Sequence, residues 1–442
     1  MSKTAYLGVL LMAAVPVFPQ AVSPLSSAPA PEDSQMATPP PVSGEAYPIE
    51  VGAEENSNYV RAGMQFNTSY IDNLYPGIGR AIAETTYSIL PTLRLDRTTP
   101  LRHIGIRYSP GFTFYQPTSA LNEVDQAAVL DYRVRPSPHS VLAFNDRFEY
   151  SSTSFGSGSF GGGSAISGAT PATVPGILAP FAKQLLNDAG GEFTLQTSLS
   201  SMFGFSGTAL TLHYPDRTEV SGLYDSNSRG GSAFYNRRIS ARQYLGTTYS
   251  YTQVIAYPPG SEIETDVQSA SAFYTMYLQR TLTLSVSAGP QRSRLEQKSF
   301  PAFSLWSPFV TASIGWQGLH TSIAASYAQA LTAGGGLLGP YHSRSGDATA
   351  RWQMSRAWSS EVSASYAINK AVSAPFLLGS QNGHSITGSA RATHSIGQRA
   401  SLAVGYDRIH QSYAGIPAIS NNPDSDRVTG SISWEFARPL GR

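Results

Sequence analysis

Apolar and polar residues alternate with a period of two along most of this 442-residue chain. In 428–436, Val428, Gly430, Ile432, Trp434 and Phe436 share one face, and Thr429, Ser431, Ser433 and Glu435 the other. That period places successive side chains on opposite faces of a β-strand. It predicts strands over 59–70 and 85–96, a third carrying Ile104 to Phe114, then 123–135, 140–151, 190–199, 204–215, 229–238, 242–257, 262–279, 282–296, 301–317, 320–331, 343–356, 359–372, 382–394, 399–412 and 425–438. The alternation is weakest in 190–199, 204–215 and 229–238. Asp146 falls on the apolar face of its strand, which predicts a bulge or a shifted register there.

The links between strands mostly alternate in length. Short ones fall at 97–100, 135–139, 200–203, 238–241, 280–281, 317–320, 355–359 and 395–398. Longer ones fall at 71–84, 116–122, 152–189, 216–228, 332–342, 373–381 and 413–424. Two links that the alternation makes long, 258–261 and 297–300, are short. Short turns at one end and long loops at the other are the habit of a transmembrane barrel. The count is 18 strands, with 16 as the alternative because 190–238 is ambiguous. At about 21 residues per strand and link, each unit holds the 9–11 residues needed to cross a bilayer. The expected fold is therefore all-β, a transmembrane antiparallel up-and-down β-barrel.

Barrel size decides which face meets which solvent. About eight strands can be filled with side chains, but 16–18 leave an aqueous channel. The polar face then lines the lumen and the apolar face meets lipid, while closure pairs every backbone donor and acceptor. Tyr70, Tyr115, Tyr150, Tyr257, Trp316, Trp352 and Trp434 are candidates for the aromatic girdles at the membrane interfaces. A soluble all-β array is the rival reading.

Composition fits this picture. Charged residues are 13% of the chain, against roughly 25% in soluble domains. Mean hydropathy is −0.17, too low for a helical membrane protein but usual where strands alternate. The 30 basic and 29 acidic residues leave a net charge of +1, which offers nothing to nucleic acid. The absence of cysteine excludes disulfides, thiolate metal sites and a lipid anchor on Cys. Residues 1–21 carry Lys3 before an apolar 6–17 and read as a signal peptide. Residues 22–57 read as a Pro/Ser/Ala-rich periplasmic linker, with a lumen plug or partner-binding tail as the alternative. The barrel occupies 58–442, and its location is the cell outer membrane.

Tandem units such as 244–251 (YLGTTYSY) and 282–290 (LTLSVSAGP) resemble the large porin-like bacterial outer-membrane β-barrel proteins. The resemblance covers about 58–438 and rests on pattern rather than on fixed residues. Some proteins of this kind accompany exopolysaccharide export. The resemblance implies outer-membrane lipid, the outer-membrane assembly machinery and polysaccharide export components as partners. One departure is that 437–442 follow Phe436, where such barrels end on the aromatic residue.

No catalytic motif appears: HExxH, GxSxG and the P-loop are absent. Asp407 and His410, three apart on a strand, point to opposite faces. Residues 421–426 (NNPDSD) carry oxygens suited to Ca²⁺, but their composition is that of a solvated turn. No cofactor and no metal site is expected. Candidate lumen charges are Arg61, Arg94, Asp96, Arg107, Asp131, Arg133, Arg147, Glu149, Arg351, Arg391, Asp407 and Glu435, the basic ones concentrated on the first five strands. Asp347 also falls on a polar face. These charges either set a transverse field that tunes selectivity or neutralise one another in wall-bracing salt bridges. The longest loop, 152–189, opens with a Gly/Ser-rich stretch bearing Phe155 and Phe160. It continues into 174–187, where Ile177, Leu178, Phe181, Leu185 and Leu186 share a helical face. That loop is expected either to fold inward as a constriction or to form a surface lid. The function expected is a channel for small hydrophilic solutes or saccharides. The alternatives are a structural or surface-contact barrel with a closed lumen and, third, an outer-membrane enzyme.

Overall fold

The computed structural model describes residues 58–74, 82–151, 183–216, 223–279, 281–298, 300–333, 338–372, 382–397, 399–414 and 424–440. The expected signal peptide, the linker and most of loop 152–189 lie outside them. The strands are β1 (Tyr59–Ile71), β2 (Glu84–Thr98), β3 (Arg102–Gln116), β4 (Glu123–Ser137), β5 (Ser140–Ser151), β6 (Gln184–Ser198), β7 (Ser201–His213), β8 (Ser226–Ser240), β9 (Gln243–Ala256), β10 (Ile263–Gln279), β11 (Leu282–Gln297), β12 (Phe303–Gln317), β13 (Thr321–Ala333), β14 (Pro340–Gln353), β15 (Trp358–Ala371), β16 (Gly383–Ile396), β17 (Ala400–Tyr413) and β18 (Asp424–Pro439). Every strand pairs with its sequence neighbours, and β1 closes the ring on β18 from Tyr59↔Pro439 to Ile71↔Arg427. The fold is a closed 18-stranded antiparallel barrel, and no sheet edge remains open.

The pleat sorts the side chains as the alternation requires. Large apolar residues such as Phe66, Leu93, Val404 and Trp434 stand exposed on the outer face. Their sequence neighbours turn inward, where hydroxyls pair across strands. Examples are Ser250 with Ser269 (2.7 Å), Thr275 with Ser285 (2.8 Å) and Ser363 with Ser389 (2.7 Å). An exposed apolar belt of this extent is at home only against lipid. The strands run 12–17 residues, longer than the crossing itself demands. Their surplus projects at the long-loop end, where the outer face turns polar: Glu264, Asp266, Arg292, Arg294, Arg408 and Asp424 all lie there.

Four expectations need correction. The strand expected at 190–199 begins six residues earlier, at Gln184, so Leu185 and Leu186 belong to β6 and not to a helical loop face. Their adjacency and the Gly190–Gly191 pair hide the alternation, while pairing to β5 and β7 from Leu185 onward fixes the strand. The strand expected at 343–356 is Pro340–Gln353. No bulge relieves Asp146: β5 keeps its register there, and Asn187 on β6 donates its Nδ2–H to the Asp146 carboxylate (2.9 Å). Tyr115 is not in a girdle. It faces inward, is buried, and its hydroxyl donates to Glu123 (2.9 Å). Tyr70, Trp316, Trp352 and Trp434 do stand exposed on the outer face.

Candidate solute pathway

All twelve candidate lumen charges fall on the inner side of the pleat, opposite in parity to the exposed apolar residues of their strands. Several meet opposite charges. Arg61 lies 3.4 Å from Glu435, Arg94 3.5 Å from Asp96, Arg147 2.7 Å from Glu149 and Arg351 3.1 Å from Glu361. Asp407 on β17 stands directly opposite Arg427 on β18, with Arg391 near by on β16. Asp131 on β4 lies among Arg94, His103, Arg107 and Arg133.

The charges occupy only part of the wall. Along the inner faces of β7 to β13 one charged residue occurs, Arg238 at the short-turn end of β8. The rest is uncharged: mainly Ser, Thr, Gly, Gln and aromatic residues, with Leu210, Leu212, Val254, Ile263, Val267 and Leu295 towards the long-loop end. Towards the short turns Met202, Phe234 and Tyr244 cluster inward with Tyr277 against them. The Phe234 ring covers the bare backbone of Gly204, and that of Phe273 covers Gly246. A side chain at either glycine would displace the ring.

The long-loop mouth is narrowed from the wall itself. The β12–β13 ladder stops at Val310↔Gln329, although both strands continue beyond it. Above that point the β13–β14 hairpin leans to the lumen side of its neighbours. Gln291, an inward residue of β11, donates Nε2–H to the carbonyl of Leu331 (2.9 Å) and accepts its N–H (2.6 Å), reaching past β12 to β13. The imidazole of His342 on β14 meets the inward Ser307 hydroxyl of β12 (3.4 Å). Leu338 packs on the inward Ile263 and Leu295. Tyr341 and Tyr413 are 0% and 1% exposed, and the Tyr413 hydroxyl accepts from Asn369 Nδ2 (2.7 Å). Farther round the barrel, Ile71, Leu74 and Tyr115 cluster inward with Leu121. In that region Glu84 accepts from Thr118 of the β3–β4 link.

Of the expected constriction residues, Phe155, Phe160, Ile177, Leu178 and Phe181 lie outside the described residues. Leu185 stands on β6 opposite Tyr150 and His213. The hairpin anchors Gln291, Tyr341 and His342 escaped the sequence reading. Nothing in an alternating pattern signals that two paired strands lean together. Arg427 was legible: it is in phase with Thr429 and Ser431.

Asp407 points inward and does not meet His410. His213 Nδ1 contacts Asp225 (2.8 Å), whose other oxygen accepts the Tyr214 N–H (2.9 Å). Burial, with Asp225 beside it, raises the Tyr214 phenol above its ordinary pKa. Among the described residues no three His, Asp or Glu side chains converge on one point as a metal centre.

No protein-family model matches the sequence, and no curated protein matches it significantly. Solved structures similar to it include OpdK of Pseudomonas aeruginosa with vanillate, 10% identical with a TM-score of 0.44, over 86% of this chain and 99% of that one. OccK2 (OpdF) of the same organism is 12% identical with a TM-score of 0.43, over 86% and 98%. OccAB4 of Acinetobacter baumannii is 8% identical with a TM-score of 0.43, over 86% and 99%.

Proposed function

We propose that this barrel is an outer-membrane channel that passes small hydrophilic solutes, saccharides among them, through a polar lumen. One observation carries the reading: a closed ring of 18 strands turns apolar side chains outward and hydroxyls and charges inward. A ring of that size leaves an aqueous interior. No bond need be made or broken. A hydrated solute crosses because wall hydroxyls and paired charges replace part of its water, while the β13–β14 hairpin sets the size limit. Delivery by the outer-membrane assembly machinery and service to a polysaccharide export system belong to this proposal on the sequence pattern alone. So does a further constriction by 152–182.

A closed, structural barrel is the second reading, and one observation favours it. Inward polar residues such as Asn236, Thr275, Ser285 and Gln291 are 0% exposed, so part of the inner wall is covered. Single-channel recording of the refolded protein in a planar bilayer separates the two. Steady, ohmic conductance steps support the channel. A folded barrel that stays silent over the same protein range favours the closed barrel.

A further inference from the structure

We propose that the outer rim of the barrel carries a binding site for one borderline-soft divalent transition ion, such as Zn²⁺, Cu²⁺ or Ni²⁺, formed by His384 and His410. Three adjacent strands contribute one outward side chain each at the long-loop end. These are His384 on β16, His410 on β17 and Asp424 on β18, the last two directly opposite each other. The two Nε2 atoms are 3.2 Å apart, and the rings are tilted by 33° at a centroid distance of 5.3 Å. Two nitrogens bound to one tetrahedral ion at 2.0–2.1 Å are separated by roughly 3.3 Å. The pair therefore already stands at the spacing of one edge of a coordination tetrahedron.

The second shell supports the same reading. His410 Nδ1 lies 3.1 Å from the Asp424 carboxylate. Donation of the Nδ1–H to Asp424 fixes the tautomer and leaves the His410 Nε2 lone pair facing His384. Arg408 donates to the same Asp424 oxygen (3.2 Å) and holds it in place. Without an ion, His384 Nε2–H donates to His410 Nε2. To bind one, His384 needs only to move its proton from Nε2 to Nδ1, so two neutral imidazoles become ligands without net proton release. Water would complete the shell on the exposed side. The ligand class follows from the donors: imidazole nitrogens select zinc, copper or nickel over calcium or magnesium. The carboxylates of 421–426 read in sequence as oxygen donors thus serve in part as orienting groups. Asn421, Asn422 and Pro423 lie outside the described residues.

Isothermal titration of the refolded full-length barrel with ZnCl₂ tests the site. The expected result is one saturable ion per chain, abolished in His384→Ala and in His410→Ala. Asp424→Asn should weaken binding by roughly 10–100-fold. A tenfold excess of CaCl₂ should leave the titration unchanged. His139→Ala, which removes an exposed imidazole from the β4–β5 turn, should bind as the parent does. Should an alanine variant fail to fold, His384→Gln and His410→Gln keep the side-chain volume and are read in its place. Absence of saturable binding overturns the proposal, and so does one-to-one binding that survives loss of either histidine. Because the readout is independent of conductance, a silent barrel would not touch this proposal, nor would a failed titration touch the channel.

Discussion

At Gly289 the inner face of β11 comes so close to β10 that a Cβ would run into the Ala270 carbonyl and the Ser271 backbone. Only glycine fits there, because backbone cannot move aside as a flexible side chain does. Gly388, on the outer face of β16, has nothing within 4 Å of the same atom. The two glycines look alike in sequence and differ in physics. Gly289→Ala should destabilise the barrel by about 1–3 kcal/mol, the usual range for overpacking. Gly388→Ala should stay within about 0.5 kcal/mol or gain slightly. Urea unfolding in detergent micelles, followed by tryptophan fluorescence, gives both values. An alanine at 289 without measurable cost would show that the strands separate more readily than the close approach implies. Asp146 teaches the same lesson about local context. A carboxylate on the apolar face suggested a broken register, yet one hydrogen bond from Asn187 lets the register continue.

At the scale of elements, the alternation and the lengths of the links made most of the ring legible. Short and long connections alternate around the whole barrel: the β9–β10 and β11–β12 links, expected as the short 258–261 and 297–300, span 257–262 and 298–302 and are longer than any link at the other end. Legibility failed where periodicity cannot speak. β6 opens with Gln184 and two adjacent leucines and passes through two glycines, so its residues next to the long loop read as part of that loop. The inward lean of β13–β14 has no sequence signature at all, because it depends on where one ladder ends. Gln291 is the residue on which that lean can be tested. Gln291→Leu keeps the volume but leaves the Leu331 N–H and carbonyl without partners, a cost of about 1–3 kcal/mol for buried groups. The hairpin should then loosen without unfolding the barrel. Amide hydrogen exchange should accelerate over 329–342 and not over β15–β17, and mean channel conductance should rise. Unchanged exchange over the hairpin would mean that Leu338 and His342 hold it without the amide.

At the scale of the whole molecule, the inner wall is divided lengthwise. β14 to β18 and β1 to β6 carry the charges, and β7 to β13 carry almost none. The alternation puts the twelve charges on one face of their strands; their segregation to one arc emerges only once eighteen strands are ordered around a ring. The pairs Arg61–Glu435, Arg94–Asp96, Arg147–Glu149 and Arg351–Glu361 argue that much of this charge braces the wall. A solute then meets net charge only where partners are unequal in number. Asp407 is such a place, because it faces Arg427 directly and has Arg391 close by. Asp407→Asn removes the one negative charge from between two positive ones. The lumen there should attract anions more strongly, and the reversal potential in a KCl gradient should move toward the chloride equilibrium potential. The shift should grow as salt is lowered, since the Debye length rises from about 10 Å at 0.1 M to about 30 Å at 0.01 M. Ser250→Ala, on the uncharged arc of β9, should leave the reversal potential where it was. If Asp407→Asn moved it no more than Ser250→Ala does, the solute path would run along the hydroxyl-lined arc, and the charged arc would serve as the brace that closes the barrel.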